Sequence, residues 1–212
     1  MKAYAASCDK NKQAILEVLK RYLPVQISSA SSPETVLEIG SGTGQHAVYF
    51  AEQLAHLNWQ PTDRQQQLAD IESWRAESTA NNCLAALALD LDDSEWPLKK
   101  ADHIFTANTV HIVSWPRVIK LLEGAAKTLS LQGYFFIYGP FNYQGQFTSE
   151  SNAGFDQWLK QRDADSGIRD FESICQNLAN VENQSDKLDL IEDVTMPANN
   201  RILVFQKKLI SS

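Results

Sequence analysis

Cysteine is scarce in this sequence, and the few cysteines are too far apart to act together. Cys8, Cys83 and Cys175 are odd in number, and none of them forms a C-x-x-C pair. This pattern indicates neither a disulfide framework nor a zinc site, so we expect no bound metal. It predicts a reducing compartment, and we expect the cytoplasm.

Long apolar runs are also lacking. The longest, near residues 134–138, is too short to span a bilayer. Near the N-terminus, residues 3–6 are too short for a signal-peptide core before Asp9. We therefore expect no membrane partner.

An excess of positive charge is absent as well. The chain has 19 Lys and Arg residues against 26 Asp and Glu residues, which gives a net charge of −7. This balance disfavours nucleic acid as a partner, because nothing attracts the phosphate backbone overall. The 212 residues, 43% of them apolar, fit one domain. We expect residues 1–33 to form an N-terminal helix and linker, and residues 34–212 the core.

Helices and strands alternate along the chain. Helical spacing of apolar residues predicts a helix over residues 9–23, and a buried strand follows at residues 35–39. Later segments repeat the pattern. The predicted strands are one that ends near residues 61–62 and those at 84–89, 101–107 and 134–138, and the predicted helices lie over 47–54, 68–74 and 118–129, with a further helix that contains Phe155 and Trp158.

This alternation predicts the fold class. Strands separated by helices pair in parallel through right-handed crossovers. The segments 188–194 and 201–206 are joined by too few residues for a helical crossover, so they should pair antiparallel. The sequence therefore predicts an α/β, Rossmann-like, doubly wound and mostly parallel seven-stranded sheet, with an antiparallel C-terminal strand hairpin and helices on both faces.

A glycine cluster, LEIGSGTG at residues 37–44, lies where the strand ends and a helix begins. Such a turn can receive an anionic ligand, although it could also be a tight turn without one. Gln45 occupies the place where a dinucleotide fingerprint has Gly or Ala, which disfavours NAD. Glycines preceded by an acid are typical of S-adenosylmethionine sites, where the acid faces the cofactor's ammonium. The predicted cofactor residues here are Glu38, Gly40, Ser41, Gly42 and Gly44.

Two acids follow at strand ends. Asp63 closes the second predicted strand, where a carboxylate can accept hydrogen bonds from both ribose hydroxyls, although it could instead cap a helix. Asp90, which closes the third predicted strand, could accept from the adenine amino group, and Leu91 beside it is a further predicted cofactor residue; the acidic neighbours Asp92 and Asp93 weaken the assignment of Asp90.

Two polar residues follow the fourth strand, at the edge of the sheet that should carry the glycine cluster. Asn108 could hold the methionine end of the cofactor or cap the following helix. His111 could act as a general base or be a satisfied histidine at a helix start. We expect both side chains to face the cleft.

The chain resembles an uncharacterised class I methyltransferase family that includes methyltransferase-like protein 26 and bacterial relatives with a domain of unknown function. The resemblance implies a Rossmann-like domain that binds S-adenosylmethionine, and the glycine cluster and Asp63 carry over best. In that family an Arg or Glu often precedes the Asn-Lys pair near the N-terminus. This chain departs from that pattern, because Asp9 and Lys10 precede the pair. The resembling segments are DKNK (9–12), GSGTGQHA (40–47), WQPTD (59–63), ANTVHI (107–112), YGPF (138–141), SN (151–152), GIRD (167–170) and MPANN (196–200).

The sequence therefore predicts in-line methyl transfer to a small polar acceptor, a reaction in which positioning can contribute most of the rate. The predicted acceptor residues are Tyr138, Asn142, Asn152 and Arg169. Arg169 could pair with a carboxylate or phosphate, or form a structural pair with Asp170 at a helix start. We expect Phe155 and Trp158 to be core residues rather than a stacking platform.

Two other function classes are compatible with parts of the pattern. A non-catalytic protein that binds S-adenosylmethionine or a partner would keep Asp63 and the glycines. A nicotinamide oxidoreductase is disfavoured by Gln45 and by the lack of a Tyr-x-x-x-Lys pair.

Overall fold

The structure, a computed structural model, describes residues 2–25, 32–181 and 187–208. Residues 26–31 of the predicted linker lie outside this range. The chain forms two compact units, Met1–Phe105 and Thr106–Ser212. No helix in the described ranges has the length and apolar character needed to cross a membrane.

The first unit alternates helices and strands as the sequence predicted. Its elements are α1 (Ala6–Tyr22), β1 (Thr35–Ile39), α2 (Gln45–Gln53), β2 (Asn58–Asp63), a 3₁₀ helix (Gln65–Gln67), α3 (Leu68–Arg75) and β3 (Leu87–Ala88), and β4 (His103–Ala107) runs across its end.

The second unit adds more elements than the sequence predicted. They are α4 (Trp115–Thr128), β5 (Tyr134–Gly139), β6 (Phe141–Asn142), α5 (Glu150–Arg162), β7 (Arg169–Asp170), α6 (Phe171–Ala179), β8 (Leu188–Met196), a 3₁₀ helix (Pro197–Asn199) and β9 (Asn200–Lys207).

Seven strands form one sheet in the order β3-β2-β1-β4-β5-β9-β8. β1 pairs in parallel with β2, and β2 pairs in parallel with β3. β9 lies antiparallel to both β5 and β8. The predicted mostly parallel seven-stranded sheet with a C-terminal antiparallel hairpin and surrounding helices is therefore confirmed.

The buried strand β1 and the helix α1 show why the apolar pattern was informative. Val36, Leu37 and Ile39 in β1 are buried, as expected for a parallel strand covered on both faces. In α1, Ile15 and Leu19 are buried one helical turn apart. α1 ends just before Pro24, which cannot continue a helix.

The third strand is shorter than predicted. The sequence predicted a strand over residues 84–89, but β3 contains only Leu87 and Ala88. The Ala86 N–H donates to Glu72 Oε1 at 2.7 Å. The Glu72 carboxylate thus binds a backbone N–H that a longer β3 would use for pairing with β2, and the pairing stops before Leu87.

The prediction that Phe155 and Trp158 are core residues is wrong for Trp158, whose side chain is 47% exposed, and Phe155 is only partly buried. Its ring stacks on Phe155 at a centroid distance of 5.7 Å, and the Arg162 guanidinium lies 4.6 Å from its centroid. Phe155 and Arg162, three residues before and four residues after Trp158 on the same helix, therefore cover part of its ring. Apolar residues three apart also occur on the buried face of a helix, so the sequence does not distinguish the two cases.

Candidate functional site

The glycine loop, residues 40–44, leaves β1 in a left-handed conformation that glycine adopts without strain. Gly40, Gly42 and Gly44 have φ values of 73°, 57° and 86°. The N–H groups of Gly40 and Ser41 both donate to the Thr62 carbonyl at 3.0 Å. The loop is therefore anchored to the neighbouring strand β2.

Asp63, at the end of β2, holds the middle of this loop. The Gly42 N–H donates to Asp63 Oδ2 at 2.8 Å, and the Arg64 N–H donates to Asp63 Oδ1 at 2.7 Å. Arg64, not Asp63, stands at the N-cap of the following 3₁₀ helix. The alternative role of Asp63 as a helix cap is therefore not observed.

Two glycines of the loop differ in the space around them. A Cβ at Gly42 would meet no heavy atom within 4 Å in the described part of the chain, whereas a Cβ at Gly44 would lie 2.8 Å from Ile71 Cα. Gly44 is thus needed for packing against α3. Gly42 instead borders open space in which a ligand could approach the main chain.

Glu38 is buried in β1 and has a structural partner that the sequence did not reveal. The Trp59 indole N–H donates to Glu38 Oε2 at 2.8 Å. Burial raises the pKa of Glu38 to about 7, although hydrogen bonds from Trp59 and Ser41 oppose the shift. A cation beside this carboxyl would favour its charged form.

Gln45 opens α2 and carries a buried donor. Its Oε1 accepts the Ala5 N–H at 2.6 Å and the Thr43 hydroxyl at 3.0 Å. Its Nε2 is buried and has no hydrogen-bond partner among the residues that the structure describes. From the sequence, Gln45 served only to disfavour NAD, because a glutamine carries no sign of the groups that its amide contacts.

Asp90 and Leu91 lie beside the end of β2. The Leu89 N–H donates to the Asp63 carbonyl at 2.9 Å, which brings the ends of β2 and β3 together. Asp90 Oδ1 accepts the Asp92 N–H at 3.0 Å, so part of its carboxylate stabilises its own turn. Leu91 is buried.

Four residues of the first unit could hold the parts of S-adenosylmethionine. The buried carboxyl of Glu38 suits the ammonium of the cofactor, and the unpartnered NH₂ group of Gln45 suits its carboxylate. The Asp63 carboxylate suits the ribose hydroxyls, and Gly42 leaves space for the ligand. These residues all lie in the first unit, while the remaining predicted site residues lie in the second unit.

In the second unit, Asn108 follows β4 with a φ of 58°, a conformation that Asn tolerates better than most residues. Its N–H donates to the Tyr138 carbonyl at 2.9 Å. The N-cap of α4 is Ser114, so Asn108 does not cap that helix.

His111 lies in the turn before α4 rather than at its start, and it is 2% exposed. Within the described residues its Nδ1 has no hydrogen-bond partner, so the alternative of a satisfied histidine is not observed. A Cβ at Gly139 would lie 3.3 Å from this nitrogen. Burial, and secondarily the Arg169 charge, lowers the pKa of His111 to about 4. The ring is therefore neutral at pH 7.

Arg169 supports the turn that carries His111. Its Nε donates to the Val110 carbonyl at 3.0 Å, and its Nη2 donates to the carbonyls of Val113 and Asp165 at 2.6 and 2.7 Å. Asp170 takes a different partner, since its Oδ1 accepts the Gly145 N–H at 3.0 Å. Arg169 therefore stabilises this turn by donating to backbone carbonyls, and the suggested pair with Asp170 is not observed.

The other acceptor-side residues differ in their surroundings. Tyr138 is buried in β5. Asn152 Nδ2 donates to Thr148 Oγ1 at 2.9 Å and to the Asn199 carbonyl at 3.2 Å, which ties the start of α5 to the β8–β9 connection. Asn142 Oδ1 is buried without a partner in the described part of the chain. Only Asn142 and His111 of this group therefore present unpaired buried polar atoms.

Comparison with known families gives one match over nearly the whole chain. The model of the family described as "Protein of unknown function (DUF938)" matches residues 2–207.

Several solved structures share the fold. An O-methyltransferase family 2 protein from Planctomyces limnophilus, in complex with apigenin, is 17% identical with a TM-score of 0.78, covering 93% of this chain and 56% of that chain. The S-adenosylmethionine-dependent methyltransferase SibL is 16% identical with a TM-score of 0.75, and the match covers 96% of this chain and 56% of SibL. A chain from the complex with the Haloferax volcanii Trm112 methyltransferase activator is 15% identical with a TM-score of 0.70, and the match covers 95% of this chain and 92% of that chain. The chain thus spans 56% of the length of the first two structures.

Proposed function

The chain belongs to the DUF938 family by its match over residues 2–207, and we propose that it is an S-adenosylmethionine-dependent methyltransferase acting on a small polar acceptor. The hydrogen bond of 2.8 Å between the Gly42 N–H and Asp63 Oδ2 is the observation that carries this proposal. It sets an open glycine loop beside a strand-end carboxylate, an arrangement that suits a nucleoside cofactor.

Each residue of the first unit has a distinct proposed role. Asp63 accepts hydrogen bonds from the ribose hydroxyls, and Asp90 with Leu91 borders the adenine. Glu38 pairs with the ammonium of the methionine part. Gly40, Ser41, Gly42 and Gly44 let that ligand approach the main chain.

In the second unit, Asn108 is proposed to contact the methionine end of the cofactor. When bound, S-adenosylmethionine supplies an electrophilic methyl group. The unpaired atoms His111 Nδ1 and Asn142 Oδ1 support binding of an acceptor that carries O–H or N–H groups, with Tyr138, Asn152 and Arg169 at its borders. His111 is the proposed general base: in the neutral tautomer that carries its proton on Nε2, Nδ1 can accept a hydrogen bond from the acceptor and then its proton.

Similar folds support this class of reaction, because SibL is described as S-adenosylmethionine-dependent and the Planctomyces protein as an O-methyltransferase. One observation favours the alternative of a non-catalytic binding protein. A histidine whose pKa is lowered to about 4 is a weak base. Transfer without a general base is then expected only for an acceptor that is already nucleophilic.

Calorimetric titration of the protein with S-adenosylmethionine, S-adenosylhomocysteine and NADH tests the proposal without a known acceptor. We expect the two adenosyl ligands to bind and NADH not to bind. Binding of NADH alone would overturn the cofactor assignment. If the adenosyl ligands bind, a metabolite screen for methyl transfer separates the enzyme from the non-catalytic alternative.

A further inference from the structure

We propose that Gln45 is a cofactor-binding residue, whose Nε2 donates to the carboxylate of the methionine part of S-adenosylmethionine. This inference rests on the proposed function. It assigns a binding residue to one chemical group of the ligand, the α-carboxylate.

The orientation of the Gln45 amide follows from its partners. Oε1 and Nε2 of a glutamine exchange places when the amide is flipped, so hydrogen bonds must decide between them. The Ala5 N–H lies 2.6 Å from the atom assigned as Oε1. A backbone N–H can only donate, so this atom must be the oxygen and the other must be the NH₂ group.

The NH₂ group therefore needs an acceptor. Gln45 is 5% exposed, and its Nε2 has no partner among the described residues. A buried donor without a partner destabilises the fold, because it loses its water and gains nothing in exchange. A ligand oxygen beside the loop would supply the missing hydrogen bond.

The surroundings of Gln45 indicate that the ligand oxygen bound by Nε2 belongs to a carboxylate rather than to a ribose hydroxyl. Asp63 and Asp90 are acceptors, which suit the hydroxyls and the adenine amino group. Gln45 is instead a donor at the first residue of α2, a helix of nine residues whose N-terminus favours negative charge. With Glu38 available for the ammonium, a donor at Gln45 completes the recognition of an amino-acid group that carries both charges.

The N-terminal arm, residues 2–5, fixes the position of this amide. Besides the Ala5 contact, the Trp74 indole N–H donates to the Ala3 carbonyl at 2.7 Å. Lys2 Nζ lies 2.6 Å from Glu77 Oε2 and 3.4 Å from the Trp74 ring centroid. The arm is thus held against α3. Because the chain has five tryptophans, the Trp74 emission is measured as the difference between each protein and the same protein carrying Trp74→Phe, and it reports whether the arm stays there.

The test compares two ligands that differ in the group of interest. S-adenosylhomocysteine carries the carboxylate, whereas 5′-methylthioadenosine has the nucleoside without the amino-acid group. Calorimetry measures both affinities for the wild type, for Gln45→Glu and for Gln45→Met. Gln45→Glu keeps an acceptor for Ala5 but removes the donor, and Gln45→Met removes both. Gln53→Glu, an exposed site near the other end of α2, is the control with the same change in charge.

We expect Gln45→Glu and Gln45→Met to weaken S-adenosylhomocysteine about tenfold or more, since a hydrogen bond to a charged group is lost. Affinity for 5′-methylthioadenosine should stay within about twofold. In Gln45→Glu the Trp74 emission should match the wild type. Gln53→Glu should leave both affinities unchanged.

Two results would overturn the inference. One is an unchanged affinity for S-adenosylhomocysteine in both Gln45 variants. The other is an equal loss for both ligands with the Trp74 emission intact, which would mean that Gln45 contacts the nucleoside or shapes the loop. A wild type that binds neither ligand would instead refute the proposed function, and this inference with it.

Discussion

His46 Nε2 lies 2.7 Å from Asn11 Oδ1, and both side chains are buried. The contact joins α1 to α2 directly after the glycine loop. The His46 ring also stacks on Phe50 at 5.2 Å, and burial lowers the pKa of His46 to about 4. A neutral imidazole therefore donates from Nε2 to the Asn11 amide oxygen. Two of the segments that carried the family resemblance, DKNK and GSGTGQHA, meet at this pair.

Replacing Asn11 with Leu should destabilise the protein by about 1–3 kcal/mol, because the His46 N–H would be buried without an acceptor. The measurement is urea unfolding at pH 7. Lys10→Ala, at an exposed position of the same helix, should change the free energy of unfolding by less than about 0.5 kcal/mol. Equal effects of the two substitutions would contradict the role of this pair.

Replacing Glu38 with Gln should change how stability depends on pH. The folded pKa of about 7 lies above the ordinary value of 4.5. The folded chain therefore binds a proton that the unfolded chain has released, and wild-type stability falls as pH rises from 4.5 to 7. An amide in place of Glu38 keeps an acceptor for Trp59 but has no charge to bury.

Urea unfolding of both proteins at pH 4.5 and pH 8 measures this effect. Relative to Glu38→Gln, the wild type should lose up to about 3 kcal/mol between these pH values. His46 and His111 are present in both proteins, so the difference isolates Glu38. A difference that does not vary with pH would contradict the raised pKa.

Gly44→Ala and Gly42→Ala should differ strongly in stability. At Gly44 the added Cβ would lie 2.8 Å from the Ile71 main chain, so we expect a loss of about 3 kcal/mol or more. At Gly42 only the left-handed backbone is unfavourable, at about 1–2 kcal/mol. Thermal and urea unfolding compare the two variants. A Gly42→Ala variant as unstable as Gly44→Ala would mean that the space at Gly42 is not open.

Asp63→Asn should weaken S-adenosylhomocysteine about tenfold or more, because hydrogen bonds from ribose to a charged acceptor are lost. The amide oxygen can still accept the Gly42 N–H, so the loop should stay tied to β2, while the contact with the Arg64 N–H is lost. Isothermal titration calorimetry measures the affinity, with Asp70→Asn in the first turn of α3 as the control. An unchanged affinity in Asp63→Asn would exclude the ribose role.

Deleting residues 2–5 should shift the Trp74 emission and weaken S-adenosylhomocysteine, since Gln45 loses its Ala5 contact and its fixed orientation. The loss should be smaller than in Gln45→Met, because the donor is still present. Affinity for 5′-methylthioadenosine should not change. Full retention of S-adenosylhomocysteine affinity with a shifted Trp74 emission would mean that the arm does not orient Gln45.

Much of the fold was predictable because parallel strands are buried on both faces. A short, mainly apolar segment such as residues 35–39, in which Glu38 is the one charged residue, then marks a strand at its true bounds. β6 and β7 contain two residues each, and a segment that short has no period to detect. β3 was overestimated because the Glu72 carboxylate, which ends the ladder at Ala86, is distant in sequence.

The site was predictable where backbone geometry demands a residue type. The positive φ angles at Gly40, Gly42 and Gly44 explain the glycine cluster. Contacts between distant side chains carry no such mark. Neither the Trp59 partner of Glu38 nor the unpaired amide of Gln45 could be deduced from spacing, since both depend on how β2 and the N-terminal arm lie in space.

The Asp63 carboxylate has a capacity that its two loop contacts do not exhaust. A carboxylate offers about four lone-pair positions, and the N–H groups of Gly42 and Arg64 use one on each oxygen. Two incoming hydroxyls could therefore bind while the loop remains tied to β2. A nucleoside would meet a loop already in its final shape, so we expect the rate of association to follow encounter by diffusion rather than a slow rearrangement of the glycines.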